Sequence, residues 1–138
     1  MKSSGNKGKV LLVRHWMECH ERGVTTVAMR LRDTGFEVIY APYRLPEEVV
    51  AMAVAEDVDV LGMTFSTGVY EVHVPKVMKG LKGKGLKNIM VVVGGLIFDE
   101  DIEWLKKQGI AGVFGAGSDI NELIELISKK GTSPVASR

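Results

Sequence analysis

The segment that follows the first predicted strand holds a histidine between carboxylates. It reads Glu18-Cys19-His20-Glu21-Arg22-Gly23. A neutral imidazole can offer one ring nitrogen to a metal ion while the other donates to a carboxylate that fixes its tautomer. The spacing therefore predicts a metal ligand, His20, with Glu18 as its hydrogen-bonding partner. An exposed loop histidine without a function is the alternative explanation.

Two other predicted loops contain residues that could act together with His20. The third predicted strand is followed by hydroxyl residues and a glycine, and the fourth strand ends in a glycine pair. These residues are Thr64, Ser66, Thr67 and Gly68, and then Gly94 and Gly95. The hydroxyls could cap a helix or hydrogen-bond a ligand. The glycines could simply end a strand, or they could let a large ligand approach the backbone closely.

The elements that must position these loops alternate strictly between strand and helix. The strands are predicted at 9–14, 36–40, 58–63, 89–93 and 111–114, and the helices at 23–34, 46–56, 69–81, 99–109 and 118–130. Alternation of this kind indicates parallel strands with right-handed crossovers, and continuously apolar strands indicate helices on both faces. We therefore predict a flavodoxin-like (Rossmann-like) α/β fold with a doubly wound five-stranded sheet of order 2-1-3-4-5. Ligands bind such sheets where the strand order reverses, here between strands 1 and 3.

Composition sets the broad class of the protein. The chain has 138 residues and a formal net charge of +1, which predicts one domain and gives no reason to expect nucleic acid or membrane as a partner. Its longest apolar runs have the length of a strand, so we predict no segment that spans a membrane. Cys19 is the single cysteine, so the sequence predicts a reducing, cytoplasmic location. We expect a flexible lead-in over 1–8, the domain over 9–130 and a flexible tail over 131–138.

These residues resemble the fingerprint of the cobalamin-binding domains. That family has Asp-x-His-x-x-Gly after strand 1, Ser-x-Leu after strand 3 and Gly-Gly after strand 4. The matching residues are Glu18-x-His20-x-x-Gly23, Thr64-x-Ser66 and Gly94-Gly95. The intervals between the motifs, residues 24–63 and 67–93, also suit the family. The resemblance covers about 9–127 and is closest to the small subunits or C-terminal domains of acyl-CoA mutases of the methylmalonyl-CoA mutase type.

The resemblance implies a role for each loop. His20 would replace the dimethylbenzimidazole base as lower axial ligand of cobalt, supported by Glu18 and, behind it, Arg14. The displaced nucleotide tail would lie in a slot between the sheet and the first helix. The cofactor-binding residues implied are Glu18, Cys19, His20, Glu21, Arg22, Gly23, Thr64, Ser66, Thr67, Gly68, Gly94 and Gly95.

Five positions depart from the family pattern. Thr64 replaces a serine but keeps its hydroxyl. Glu18 is one methylene longer than the aspartate of the family, Cys19 replaces a glycine, and Ser66 replaces a leucine in the tail slot. Tyr70 stands where the mutases often have histidine. Altered affinity for cobalamin and loss of cobalamin binding both stay open. Outside the motif, His73 is predicted at the surface.

The resemblance implies the cobalamin-binding small subunit of a two-component, adenosylcobalamin-dependent acyl-CoA mutase. Such a subunit holds no catalytic residue of its own and works with a large TIM-barrel subunit that binds the acyl-CoA. A homo-oligomer is also possible. The alternatives are a corrinoid carrier for methyl transfer, a cobalamin-responsive regulatory module and a degenerate structural domain. A receiver domain would need an aspartate where Thr64 ends the third strand, and a flavodoxin would need a phosphate loop at 15–18.

Overall fold

The computed structural model describes residues 7–17, 22–66, 68–86, 88–115 and 117–132, with the backbone alone for 22 and 130–132. Within these residues, five strands alternate with five helices. The strands are β1 (Lys9–His15), β2 (Glu37–Tyr43), β3 (Val60–Phe65), β4 (Met90–Gly95) and β5 (Gly112–Gly115). The helices are α1 (Arg22–Thr34), α2 (Pro46–Glu56), α3 (Tyr70–Gly83), α4 (Ile102–Lys107), which a 3-10 turn over Asp99–Asp101 precedes, and α5 (Ile120–Thr132).

All five strands are parallel and lie in the order β2-β1-β3-β4-β5. This order confirms the flavodoxin-like prediction. The register aligns Arg14 of β1 with Thr64 of β3, and Thr64 with Gly94 of β4. The ends of three neighbouring strands are therefore level at the carboxyl edge of the sheet, where the three predicted loops begin.

Each face of the sheet is covered by its own apolar core. One core packs under α2, α3 and α4 and includes Leu11 and Val13 of β1, and the other packs under α1 and α5 and includes Val10 and Leu12. This alternation along β1 shows why a strand buried on both faces is continuously apolar. Helices α2 and α3 pack closely, since a side chain at Gly80 would come within 2.7 Å of Val50.

The bounds of all five strands differ from the prediction by one to three residues, and the differences in β2 and β3 affect the site most. β2 continues to Tyr43 through Pro42, which an edge strand accommodates because the missing N–H can face away from the sheet. β3 begins two residues later than predicted and includes Thr64, which was expected in a loop. At the start of α5 the side chain of Asp119 accepts from the backbone N–H of Asn121 at 2.9 Å.

No helix in the described part of the chain has both the length and the apolar character needed to cross a membrane. Lys7, at the end of the predicted lead-in, donates its backbone N–H to Gly35 O at 2.8 Å. Gly35 has a φ of +114°, so glycine suits this position where α1 ends.

Candidate cofactor-binding site

A cavity of about 800 Å³ opens at the carboxyl edge of the sheet, between the strands and helices α1 and α5. Its walls are mostly apolar and come from β1, β3, β4, β5, α1 and α5. The apolar lining residues include Leu12, Val24, Val27, Val92, Phe114, Ile120 and Leu123. A slot of this size and lining suits an extended ligand that buries much of its surface.

Hydroxyl groups and one carboxylate also line the cavity. Thr64 lies in β3 and Ser66 directly after it, Thr26 lies in α1, and Ser118 and Asp119 directly precede α5. A mostly apolar slot with a few polar groups in its walls can hold a ligand by burial and orient it by hydrogen bonds.

The glycines that line the cavity differ in whether contacts within the protein require a residue without a side chain. A side chain at Gly95 would come within 1.9 Å of Phe65 O, and its φ is +108°, so the sheet itself requires glycine there. A side chain at Gly23 would meet no atom of the described residues beyond its own helix within 4 Å. Contacts with that part of the fold therefore do not require glycine at position 23.

The structure brings together one residue of the first predicted motif and both later motifs. Gly23, Thr64, Ser66, Gly94 and Gly95 all line the cavity. Gly68 is not among its lining residues; its carbonyl accepts from Glu71 N–H where α3 begins. Glu18, Cys19, His20, Glu21 and Thr67 lie outside the described residues, as does the side chain of Arg22. The axial-ligand role of His20 stays a prediction.

Arg14, the predicted support for Glu18, lies half-buried at the end of β1. Its Nε donates to Tyr40 Oη at 2.8 Å, and its Nη1 lies 3.4 Å from His15 O. Tyr40 belongs to the neighbouring strand β2, so this hydrogen bond fixes the guanidinium at the carboxyl edge of the sheet.

Sequence reasoning missed a partly buried hydrogen bond that joins the start of α3 to the 3-10 turn after β4. Tyr70, fully buried at the start of α3, donates to Asp101 Oδ2 at 2.5 Å and accepts from Phe98 N–H at 3.2 Å. Burial and the bond to Asp101 raise the pKa of the Tyr70 phenol. Tyr70 thus holds the segment after Gly95 against α3, and the carboxylates at 99–101 were the only sequence signal for this contact.

The surface prediction for His73 was wrong. Its ring is partly buried, with Nδ1 2.8 Å from Tyr43 Oη, because β2 extends far enough to bring Tyr43 beneath α3. Burial, then the charges of His15 and Lys76, lower the pKa of His73. Among the described residues, no group of three or more His, Cys, Asp or Glu side chains could hold a metal ion.

The model of the B12 binding domain family matches residues 8–125. The chain belongs to the B12-binding domain family. The match spans the whole sheet, all of α1 and the start of α5, so family and geometry agree on which part of the molecule is the binding domain.

Within this family, the chain resembles small subunits of mutases. It is 43% identical to the 2-hydroxyisobutanoyl-CoA mutase small subunit of Aquincola tertiaricarbonis, over 76% of this chain and 78% of that protein. It is 37% identical to the pivalyl-CoA mutase small subunit of Xanthobacter autotrophicus, over 94% of this chain and 88% of that protein. It also matches 17% of the methylmalonyl-CoA mutase of Rhizobium meliloti, at 33% identity.

Similarity to solved structures supports the fold but does not distinguish cobalamin-binding proteins from receiver domains. A cobalamin-binding protein from Desulfitobacterium hafniense superposes with a TM-score of 0.75 at 15% identity, over 88% of this chain and 58% of that one. A Francisella response-regulator receiver domain superposes with a TM-score of 0.68 at 14% identity, over 90% of this chain and 96% of that one. The sequence match, and not the backbone, therefore distinguishes a B12-binding domain from a receiver domain.

Proposed function

We propose that this chain is the cobalamin-binding small subunit of a two-component, adenosylcobalamin-dependent acyl-CoA mutase. The observation that supports this most is where the family motifs fall: Gly23, the Thr64-x-Ser66 pair and Gly94-Gly95 line one cavity beside the sheet. Similarity to small subunits of two acyl-CoA mutases supports the same function.

The cavity would hold the nucleotide tail of the cofactor. Apolar walls such as Val27 and Leu123 would exclude water from the tail, and the hydroxyls of Thr64 and Ser66 would hydrogen-bond it. His20 would ligate cobalt from the loop before α1, with Glu18 orienting its ring and Arg14 supporting Glu18. When bound, adenosylcobalamin supplies the radical chemistry of a carbon-skeleton rearrangement, and the protein orients and shields it.

The large subunit would supply the acyl-CoA pocket, in a TIM barrel. Substrate choice among short acyl-CoA thioesters, such as 2-hydroxyisobutanoyl-CoA or methylmalonyl-CoA, would therefore belong to the partner. The reaction class is an intramolecular rearrangement, and this chain would contribute cofactor orientation but no proton-transferring residue.

Exposed apolar side chains mark the surface that would face this partner. Of the large hydrophobic side chains exposed in the described residues, six lie at or near the carboxyl edge and two lie elsewhere on helices. The six are Trp16, Met17, Leu45, Val72, Leu96 and Phe98, and the other two are Met29 and Val54. We name the six the apolar rim. Leu96 also lines the cavity, and exposed apolar side chains gathered at one edge of a domain are typical of interaction sites.

Reconstitution tests the proposed function. The purified chain, adenosylcobalamin and the large mutase subunit of the same organism are combined with 2-hydroxyisobutanoyl-CoA, pivalyl-CoA or methylmalonyl-CoA, and the isomeric thioester is measured. We expect product from one of these substrates only when both subunits and the cofactor are present. A complex that contains cobalamin but rearranges none of the substrates would contradict the mutase function and favour a corrinoid carrier.

A further inference from the structure

The short segment over residues 96–98, directly after β4, borders both the cavity and the apolar rim. Leu96 lines the cavity and belongs to the rim, and Phe98 is exposed in the rim. Ile97, between them, packs against the apolar core under α2, α3 and α4. A ligand in the cavity and a protein on the rim would therefore both contact the 96–98 segment.

A closed ring of three hydrogen bonds holds the end of this segment. Phe98 N–H donates to Tyr70 Oη at 3.2 Å, and Tyr70 O–H donates to Asp101 Oδ2 at 2.5 Å. Asp101 N–H then donates to Phe98 O at 2.9 Å. At the other end, Leu96 N–H donates to Phe65 O of β3 at 2.8 Å. The backbone that carries Leu96 and Phe98 is therefore fixed at both ends by contacts within this chain.

Tyr70 is a fixed point for this segment because its ring is fully buried. The ring packs edge-on against Phe65, and the two ring centroids are 5.9 Å apart. A phenol hydroxyl can donate one hydrogen bond and accept others, and here it does both with residues 98 and 101. Phenylalanine at this position would keep the packing and lose both bonds, so the effect of the hydroxyl can be measured separately from that of the ring.

We propose, on the basis of the proposed function, that Tyr70 is a positioning residue for both the cofactor and the large subunit. Its hydroxyl holds the 96–98 segment in the one arrangement that both of these ligands bind. Because this arrangement exists before either ligand arrives, neither ligand has to order the segment when it binds.

Removal of the hydroxyl makes the two binding events depend on each other. In Tyr70→Phe the segment is in the binding arrangement for only a fraction of the time, and the affinity for the first ligand falls in proportion to that fraction. The second ligand meets a segment that is already ordered, so it binds as it does to the wild type. The variant therefore gains positive coupling between cobalamin and the large subunit, of equal size in both directions.

Paired affinity measurements test this coupling. The affinity of the full chain for the large mutase subunit of the same organism is measured by calorimetry, with and without saturating adenosylcobalamin. We expect cofactor-free Tyr70→Phe to bind the large subunit roughly tenfold more weakly than the cofactor-free wild type, a loss between those of one and two ordinary hydrogen bonds. With cobalamin bound, the two proteins have equal affinities. Cobalamin affinity with and without the large subunit gives the same coupling by reciprocity.

Matched variants isolate the role of the hydroxyl. Tyr43→Phe removes the hydroxyl of another buried tyrosine, whose Oη lies 2.8 Å from His73 Nδ1, and we expect wild-type coupling from it. Asp101→Asn and Asp101→Ala both remove the carboxylate charge, but only asparagine keeps an oxygen that can accept from Tyr70. We therefore expect wild-type coupling in the asparagine variant and increased coupling in the alanine variant.

Hydrogen exchange at Phe98 N–H, followed in the cofactor-free chain, reports the order of the segment directly. We expect faster exchange in Tyr70→Phe than in the wild type, with thermal unfolding as the check that both proteins are folded. If Tyr70→Phe does not fold, the two Asp101 variants decide the outcome by their coupling.

Three results would overturn the inference and leave the proposed function standing. These are equal exchange at Phe98 in the two folded proteins, coupling in Tyr70→Phe no larger than in the wild type, and equal coupling in the two Asp101 variants. A wild-type chain that binds no cobalamin, with or without the large subunit, would overturn the proposed function and the inference with it.

Discussion

Val27→Trp strongly weakens cobalamin binding while the chain stays folded. Val27 lies on α1, half-buried, and its side chain lines the cavity between helix and sheet. An indole at this position extends into the space that the nucleotide tail would occupy. We expect the affinity to fall roughly 100-fold, close to 3 kcal/mol and near the upper end of the cost of an overpacked site. Binding is measured by equilibrium titration and folding by thermal unfolding.

Met29→Trp is the matched control for this variant. Met29 lies two residues further along the same helix, but its side chain is 58% exposed and is not among the residues that line the cavity. We expect its cobalamin affinity to match that of the wild type. A folded Val27→Trp variant that binds cobalamin with unchanged affinity would show that the tail does not occupy this cavity.

Phe98→Ser separates partner binding from cofactor binding. Phe98 is 63% exposed in the apolar rim, and its backbone N–H is held by Tyr70, so the ring is presented from a fixed position. Loss of an aromatic side chain at the centre of an interface costs about 2 kcal/mol or more, roughly 30-fold in affinity. We expect this loss in the affinity for the large subunit, with stability within about 0.5 kcal/mol of wild type and cobalamin affinity unchanged.

Val54→Ser provides the comparison. Val54 is 45% exposed in the last turn of α2, away from the carboxyl edge, so its loss leaves the affinity for the large subunit unchanged. The affinities are measured by calorimetry or by sedimentation of the cofactor-loaded complex. Equal affinities of the Phe98→Ser and Val54→Ser variants for the large subunit would show that the apolar rim is not part of the proposed interface.

The fold was predictable because local patterns and global packing agree in this chain. Continuous apolar strands, Pro46 at the first position of α2 and Gly35 at the end of α1 each indicate the observed element. The strand ends were less predictable. Pro42 is unfavourable within a central strand, and only the edge location of β2 explains why the strand continues to Tyr43.

The site residues whose positions follow from the strand register could be predicted from the sequence. The side-chain hydrogen bonds around the site could not. The register that brings Thr64 beside Gly94 follows from the parallel order of strands, so both were expected at one edge. The bonds from Tyr70 to Asp101 and from Tyr43 to His73 join residues about 30 positions apart. No spacing rule in the sequence indicates such pairs, because they depend on how α3 packs across the sheet.

We propose that this chain binds adenosylcobalamin with the dimethylbenzimidazole base of the cofactor displaced and with His20 in its place. Visible-absorption titration with adenosylcobalamin and hydroxocobalamin, on wild type and His20→Ala, tests this binding mode most directly. We expect a base-off, histidine-on spectrum in the wild type that the His20→Ala variant does not give. Identical spectra for both proteins, or no spectral change for the wild type with and without the large subunit, would contradict it.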